Sequence, residues 1–269
     1  MLEILVLFLS ALLAGALNAV AGGGTFLTFP ALVYTGVPVI AANATSAVAV
    51  FPGYLSGALG FRRELAAAGR ERLLWLLGLG LAGGLAGSLL LLVTPSSVFN
   101  AVVPWLLLLA TLVFATGEKG AAWFRNNTGR PVPFGPGLFA VSAYGGYFNG
   151  GLGIMLMALF AAAGMRDLNT MNGLKNGVSF VISAISVATF AAAGLVAWPA
   201  AVLMMLGSTA GGYLGAHVAR LMPRRAVQAL VIAVGLGMSL LFFLRGERRV
   251  QRAALRSEVG RIGVTARYG

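Results

Sequence analysis

Apolar residues run along this chain in stretches near twenty residues long, parted by short polar breaks, at roughly 2–34, 38–60, 73–93, 97–116, 134–164, 169–193, 196–219 and 225–244. A helix needs about twenty apolar residues to cross about 30 Å of hydrocarbon. The pattern therefore predicts an all-α integral membrane protein with about eight transmembrane segments. Two stretches, 2–34 and 134–164, are too long for one straight crossing, since each would reach nearly 50 Å at about 1.5 Å per residue. Both carry a glycine cluster where a break can sit, Gly22–Gly24 and Gly150–Gly153. Glycine costs about 1 kcal/mol relative to alanine inside a helix, so three in a row predict a broken helix.

The breaks also recur in register. At an offset of 128 residues Gly22-Gly23 falls on Gly150-Gly151, Gly36 on Gly164, Gly83-Gly84 on Gly211-Gly212, Gly87 on Gly215 and Pro95 on Pro223. A one-residue slip adds Asn43 on Asn172 and Phe51 on Phe180. This predicts two repeats of four segments: 1–116, then a cytoplasmic linker at 117–133 rich in Gly, Pro and Asn, then 134–244, then a basic cytoplasmic tail at 245–269. An even number of crossings per repeat makes the repeats parallel; re-entrant hairpins at the breaks would make them inverted.

Composition agrees with a membrane location: 59% of residues are hydrophobic, 10% are charged and the mean hydropathy is +0.90. The net charge of +12 fits basic membrane loops better than nucleic acid, because no aromatic interleaving or nucleic-acid motif accompanies it. With eight crossings, 14 of the 19 Lys and Arg residues fall with the N-terminus, in the 61–72 and 117–133 connections and the tail. By the positive-inside rule both termini are then expected in the cytoplasm of a bacterial inner membrane. Arg220, Arg224 and Arg225 oppose that assignment. The acidic start, MLEILVLF, reads as an uncleaved first helix, although Ala14-Gly15-Ala16 resembles a cleavage site. The chain has no cysteine, which excludes disulfides and thiolate metal sites.

Candidate chemistry gathers at the breaks. Lys175, in NGLKNGVSF, is the one basic residue placed inside a segment; a buried charge there usually faces a cavity or a partner, the alternative being that it snorkels to water. Asn172 and Asn176 flank it. The matching stretch of the first half offers Asn43, Thr45 and Ser46, whose hydroxyls could equally bond back to their own helix. Asn18 and Asn149 precede the glycine clusters. Freed N–H groups at a half-helix N-terminus favour an anion, whereas Gly80, Gly83, Gly84, Gly87, Gly207, Gly211, Gly212 and Gly215 are spaced for close helix packing. His217 is a lone histidine near an interface and reads as structural. No buried acid, Walker loop, zinc motif or nucleophile triad is present, so catalysis, a cofactor and a metal are not expected.

The runs NAVAGGGTFLTFPALVYTGVPVIAANATSAVAV, YGGYFNGGLGIMLMALFAAAGM and MNGLKNGVSF resemble the sulfite exporter TauE/SafE family of bacterial permeases, over nearly the whole chain from Leu13 to Phe243. The resemblance implies transport of sulfite, sulfoacetate or other small sulfur-containing anions. The second repeat departs from an unbroken glycine triplet, with Gly150-Gly151-Leu152-Gly153.

The expected substrate site thus comprises Asn18, Gly22, Gly23, Gly24, Thr25, Asn43, Thr45, Ser46, Asn149, Gly150, Gly151, Gly153, Asn172, Lys175 and Asn176. Its ligand is a small anion moved by alternating access. Other expected partners are anionic lipids at the basic tail and, as an option, a second copy of the chain. The rival from another class is a non-transporting assembly or sensory subunit that docks through the tail.

Overall fold

The structure, a computed structural model, describes residues 1–20, 22–128, 133–218, 229, 232–242 and 244, without the side chains of 19–20, 117–128 and 213–218. The described residues form helices joined by short connections, with no strand among them. The first long apolar stretch is two helices, α1 (Leu2–Val20) and α2 (Thr25–Tyr34), and the next is α3 (Val39–Gly60). A short α4 (Arg62–Ala67) leads to α5 (Arg70–Val93) and α6 (Ser96–Thr128). The second long stretch is likewise divided, into α7 (Phe134–Tyr147) and α8 (Leu152–Ala162), followed by α9 (Leu168–Ala192) and α10 (Trp198–Val218). A last apolar helix spans Ile232–Phe242. Four helices are long and apolar enough to cross a membrane by themselves: Val39–Gly60, Arg70–Val93, Ser96–Thr116 and Leu168–Ala192.

Local chemistry sets these boundaries. Pro38, Pro95 and Pro133 stand immediately outside α3, α6 and α7, where a missing N–H costs nothing and the fixed φ suits a helix start. Asp167 caps α9 by accepting the Thr170 N–H at 2.9 Å, and the Thr170 hydroxyl donates to the same oxygen. α6 extends further than the sequence suggests, because 117–128, expected as linker, continues as helix to Thr128. The glycines and asparagines of that stretch are poor helix formers but cost only fractions of a kcal/mol to about 1 kcal/mol each, less than a continuing helix can absorb.

Helix directions follow from the side chains in contact. Phe51 of α3 stacks on Phe180 of α9 with ring centroids 5.2 Å apart. Further along α3, Gly57 lies against Asn176 and the following Phe61 against Gly173. Rising numbers on α3 meet falling numbers on α9, so these equivalent helices are antiparallel. α5 runs with α9: Gly80 meets Val178, Gly84 meets Ile182, and Ser88 donates to Thr189. α1 runs with α10, as Gly207 meets Phe8 and Gly211 meets Leu12. The short 193–197 connection turns α10 back along α3, so α1 and α3 point the same way and α2 must run back between them. Thr28 of α2 meets Ser46 of α3 at 2.6 Å, as an antiparallel pair requires.

Each broken stretch is therefore a re-entrant hairpin, and the two repeats are inverted. The parallel arrangement expected for eight crossings does not form, because a hairpin adds no crossing. For the same reason the N-terminus does not share a face with the 61–72 connection. The start of α1 lies with connections 35–38, 94–95 and 193–197, none of which carries a Lys or Arg. The opposite face holds the α3–α5 connection with Arg62 and Arg63, the first turn of α5 with Arg70 and Arg72, and Arg166 of the α8–α9 connection. The Arg220–Arg225 group, residues 129–132 of the expected 117–133 linker and the tail 245–269 lie outside the described residues.

The repeats interlock. α1 of the first half packs on α10 of the second, and α7 of the second packs on α5 of the first. Both contacts use the glycines spaced for packing: a methyl group at Gly211 would strike the Leu12 carbonyl, and one at Gly87 the Ala143 carbonyl. Between apolar helices in lipid, such backbone approach is a main source of attraction.

Candidate functional site

Both hairpin tips turn on a glycine in the left-handed region, Gly22 with φ 77° and Gly151 with φ 78°. A side chain in this conformation costs roughly 1–2 kcal/mol, which is why glycine stands at each tip. By backbone conformation Gly22 thus corresponds to Gly151, one residue beyond the match made by glycine pairs alone. Asn18 closes the first tip by accepting the Gly24 N–H on its side-chain oxygen at 3.0 Å.

The tips touch. A Cβ on Gly22 would lie 3.1 Å from the Gly153 Cα. The Thr25 hydroxyl, at the start of α2, donates to the Asn149 carbonyl at 3.1 Å and accepts the Gly151 N–H at 3.3 Å. Both α2 and α8 therefore begin at this junction and aim their positive dipole ends into it.

Asn149 is the best-held side chain of the junction. Its oxygen accepts from Tyr54 of α3 at 3.2 Å and its amide donates to Ser183 of α9 at 3.2 Å. Asn43 donates to the Tyr147 carbonyl at the end of α7, at 2.9 Å. Behind the second tip Phe148 packs edge-to-face on Phe29 at 5.4 Å, and on Phe99 and Tyr144. The Tyr144 hydroxyl donates to the Gly150 carbonyl.

Lys175 is 2% exposed and two turns into α9, about 10 Å from its start. Its Cδ would lie 3.6 Å from a Cβ at Gly22, and its Nζ donates to Asn172 Oδ1 at 3.1 Å. Among the described residues it has no carboxylate partner; Glu3, Glu64, Glu71 and Asp167 belong to helix ends and connections. Burial to this degree does not fit a lysine that snorkels into water. The junction thus carries one unbalanced positive side chain beside two helix N-termini.

Most of the expected site converges here: Asn18, Gly22, Gly23, Gly24, Thr25, Asn149, Gly150, Gly151, Gly153, Asn172 and Lys175. Asn43 and Ser46 adjoin it through Tyr147 and Thr28. Two expected residues point elsewhere. Thr45 accepts the Ala197 N–H at 3.0 Å and ties α3 to the entry of α10. The Asn176 amide lies against Gly57 in the α3–α9 contact. The side chain of His217 is outside the described residues. Tyr54, Ser183 and Thr28 belong to the junction and were not anticipated. Tyr54 and Ser183 occupy matching repeat positions in the register that pairs Asn43 with Asn172 and Phe51 with Phe180, and extending that register would have found them.

Half-helices that meet by their N-termini inside an inverted repeat are the architecture of membrane transporters. The comparisons with known proteins agree. The sulfite exporter TauE/SafE family pattern matches residues 7–242, and the chain belongs to that family. It is 28% identical over 238 residues to a probable membrane transporter protein of Sinorhizobium, covering 87% of this chain and 90% of the relative. A probable membrane transporter protein of Haemophilus influenzae is 28% identical over 242 residues, covering 87% and 92%. One from Escherichia coli is 25% identical over 258 residues, covering 90% and 91%. No solved structure matches the chain.

Proposed function

We propose that this protein is an inner-membrane permease for a small anion, a sulfite, sulfonate or similar oxyanion, moved by alternating access and without enzymatic chemistry. One observation carries the reading: a buried lysine with no carboxylate among the described residues sits where two helix N-termini meet. A protonated lysine in low dielectric needs a counter-charge, and helix N-termini favour the same sign. An anion satisfies both, with Lys175 as the charge, Asn18, Asn149 and Asn172 as neutral donors, Thr25 tying the two tips together, and the glycine tips as close backbone walls. Asn43 and Ser46 support those walls from α3.

Uptake of labelled sulfite and methanesulfonate into proteoliposomes tests this. Lys175→Ala is expected to abolish saturable flux, and undiminished flux through a folded variant would overturn the assignment. The rival, a non-transporting docking subunit, predicts no flux of any anion in the unaltered protein.

The basic face of the bundle belongs in the cytoplasm under the positive-inside rule, which puts the start of α1 outside. Because the chain has no native cysteine, single cysteines report this directly. Leu2→Cys should react with a membrane-impermeant maleimide on intact cells and Ala68→Cys should not; the reverse labelling would invert the orientation.

A further inference from the structure

α9 carries a polar stripe at Asn172, Lys175, Ser179 and Ser183, spaced three and four apart and so on one helix face. Lys175 packs by Gly22 of the first tip, and Ser183 holds Asn149 of the second. Ser179 lies between them, fully buried at 0% exposure, and its hydroxyl has no hydrogen-bond partner.

Other hydroxyls of the same helix behave differently. Ser186 and Thr189 each donate to the carbonyl four residues back, at 2.8 Å, the usual resort of Ser and Thr in membrane helices. The second buried hydroxyl without a partner, Ser142, is wedged against Gly83 in the α5–α7 contact, away from the tips. Buried polar groups left without a bond are rare and costly. An orphan hydroxyl facing the place where two half-helices and a lysine converge points to a ligand atom.

We propose that Ser179 is a substrate-contact residue, donating its hydroxyl to one oxygen of the anion while Lys175 supplies the charge. This rests on the permease reading above and extends it. With one cationic side chain and otherwise neutral donors, the junction is matched to a singly charged oxyanion of the sulfonate or hydrogen-sulfite type rather than to a dianion. The matching residue on α3 is Val50, so the contact comes from the second half alone.

The test is binding of methanesulfonate and sulfite to the full chain in detergent, by calorimetry, with ligand-free melting temperatures alongside. Ser179→Ala should weaken binding roughly 10- to 100-fold, the contribution of a hydrogen bond to a charged acceptor. Its ligand-free melting temperature should hold or rise, since an unsatisfied hydroxyl has been removed. Ser179→Cys, close in shape but a weak donor, should weaken binding in the same direction and serves if the alanine variant does not fold. Sulfate should bind at least tenfold more weakly than methanesulfonate. Affinity unchanged in both variants, with binding lost in Lys175→Ala, would overturn the role of Ser179 and leave the permease standing. Absence of saturable binding to the unaltered protein would overturn the permease reading itself.

Discussion

The two hairpin tips share a backbone turn but differ in how they are held. The second tip is braced on several sides: Thr25, Tyr54 and Ser183 bond to Asn149, Asn43 bonds to Tyr147, and Phe148 packs among Phe29, Phe99 and Tyr144. The first tip has the Asn18 cap on Gly24 and the Thr25 bonds it shares with the second, and among the described residues it otherwise presents glycine backbone beside the Lys175 stem. An inverted repeat has thus been specialised. One tip is a fixed wall; the other is a smooth surface facing the charge. The lysine belongs to the second half, but it works against the first.

The sharpest way to break this comparison is to alter the matching residues Lys175 and Ser46. Lys175→Ala should reduce anion affinity at least about 100-fold, in keeping with removal of one partner of a buried charge interaction. Ser46→Ala, which loses only the Thr28 contact at 2.6 Å, should stay within a few-fold. Equal losses in a flux assay would mean the halves share the substrate evenly.

Next come the tips themselves. Gly22→Ala and Gly151→Ala both place a side chain at positive φ, and each should lower stability by about 1–3 kcal/mol. Gly151→Ala should be the worse of the two, because its Cβ would also lie 2.9 Å from the Ala110 Cβ. Thermal unfolding in detergent reads the difference, and a larger loss at Gly22 would reverse the ranking of the tips.

Smaller effects are expected at the brace. Tyr54→Phe and Ser183→Ala each remove one bond to Asn149 and should cost about 1 kcal/mol. The double variant should depart from additivity, because both partners act through one amide. Strict additivity would show that Asn149 is held by something else.

The smallest effect lies outside the bilayer. The Thr170 hydroxyl and N–H hold the Asp167 carboxyl below its ordinary value of 3.8. A lowered carboxyl pKa stabilises the fold at pH values above the unfolded value, and that contribution fades as pH falls through the folded one. Asp167→Ala should therefore melt slightly earlier at neutral pH, and the gap should close in acid. A gap that persists at low pH would mean the cap does not depend on ionisation.

Much of this arrangement is legible in the sequence. The glycine clusters, the asparagines before them and Lys175 were visible because each violates what an apolar helix prefers. The division of both long stretches into two helices followed from length. The direction of the second piece did not, since hydropathy counts residues in the membrane and is the same for a crossing and for a return. Inversion, and the placing of the N-terminus opposite the 61–72 connection, hung on that one missing sign. Thr45 and Asn176 looked equivalent to their neighbours, yet a one-residue step turns a helical side chain by about 100°, enough to aim Thr45 at α10. Ser179 carried no signal: whether a serine bonds back to its helix or waits for something else is decided by packing.

The exchange of first helices between halves has a consequence for biogenesis. α1 is synthesised well before its glycine-matched neighbour α10, with eight helices made in between. Until then the first hairpin must wait in the bilayer with its bare tip unanswered by Gly153 and Lys175. Insertion and folding are thereby separated in time, and neither half is a self-sufficient unit. Two fragments produced from separate messages should reassemble only when both are present in the same membrane, and the first alone would be a substrate for membrane quality control.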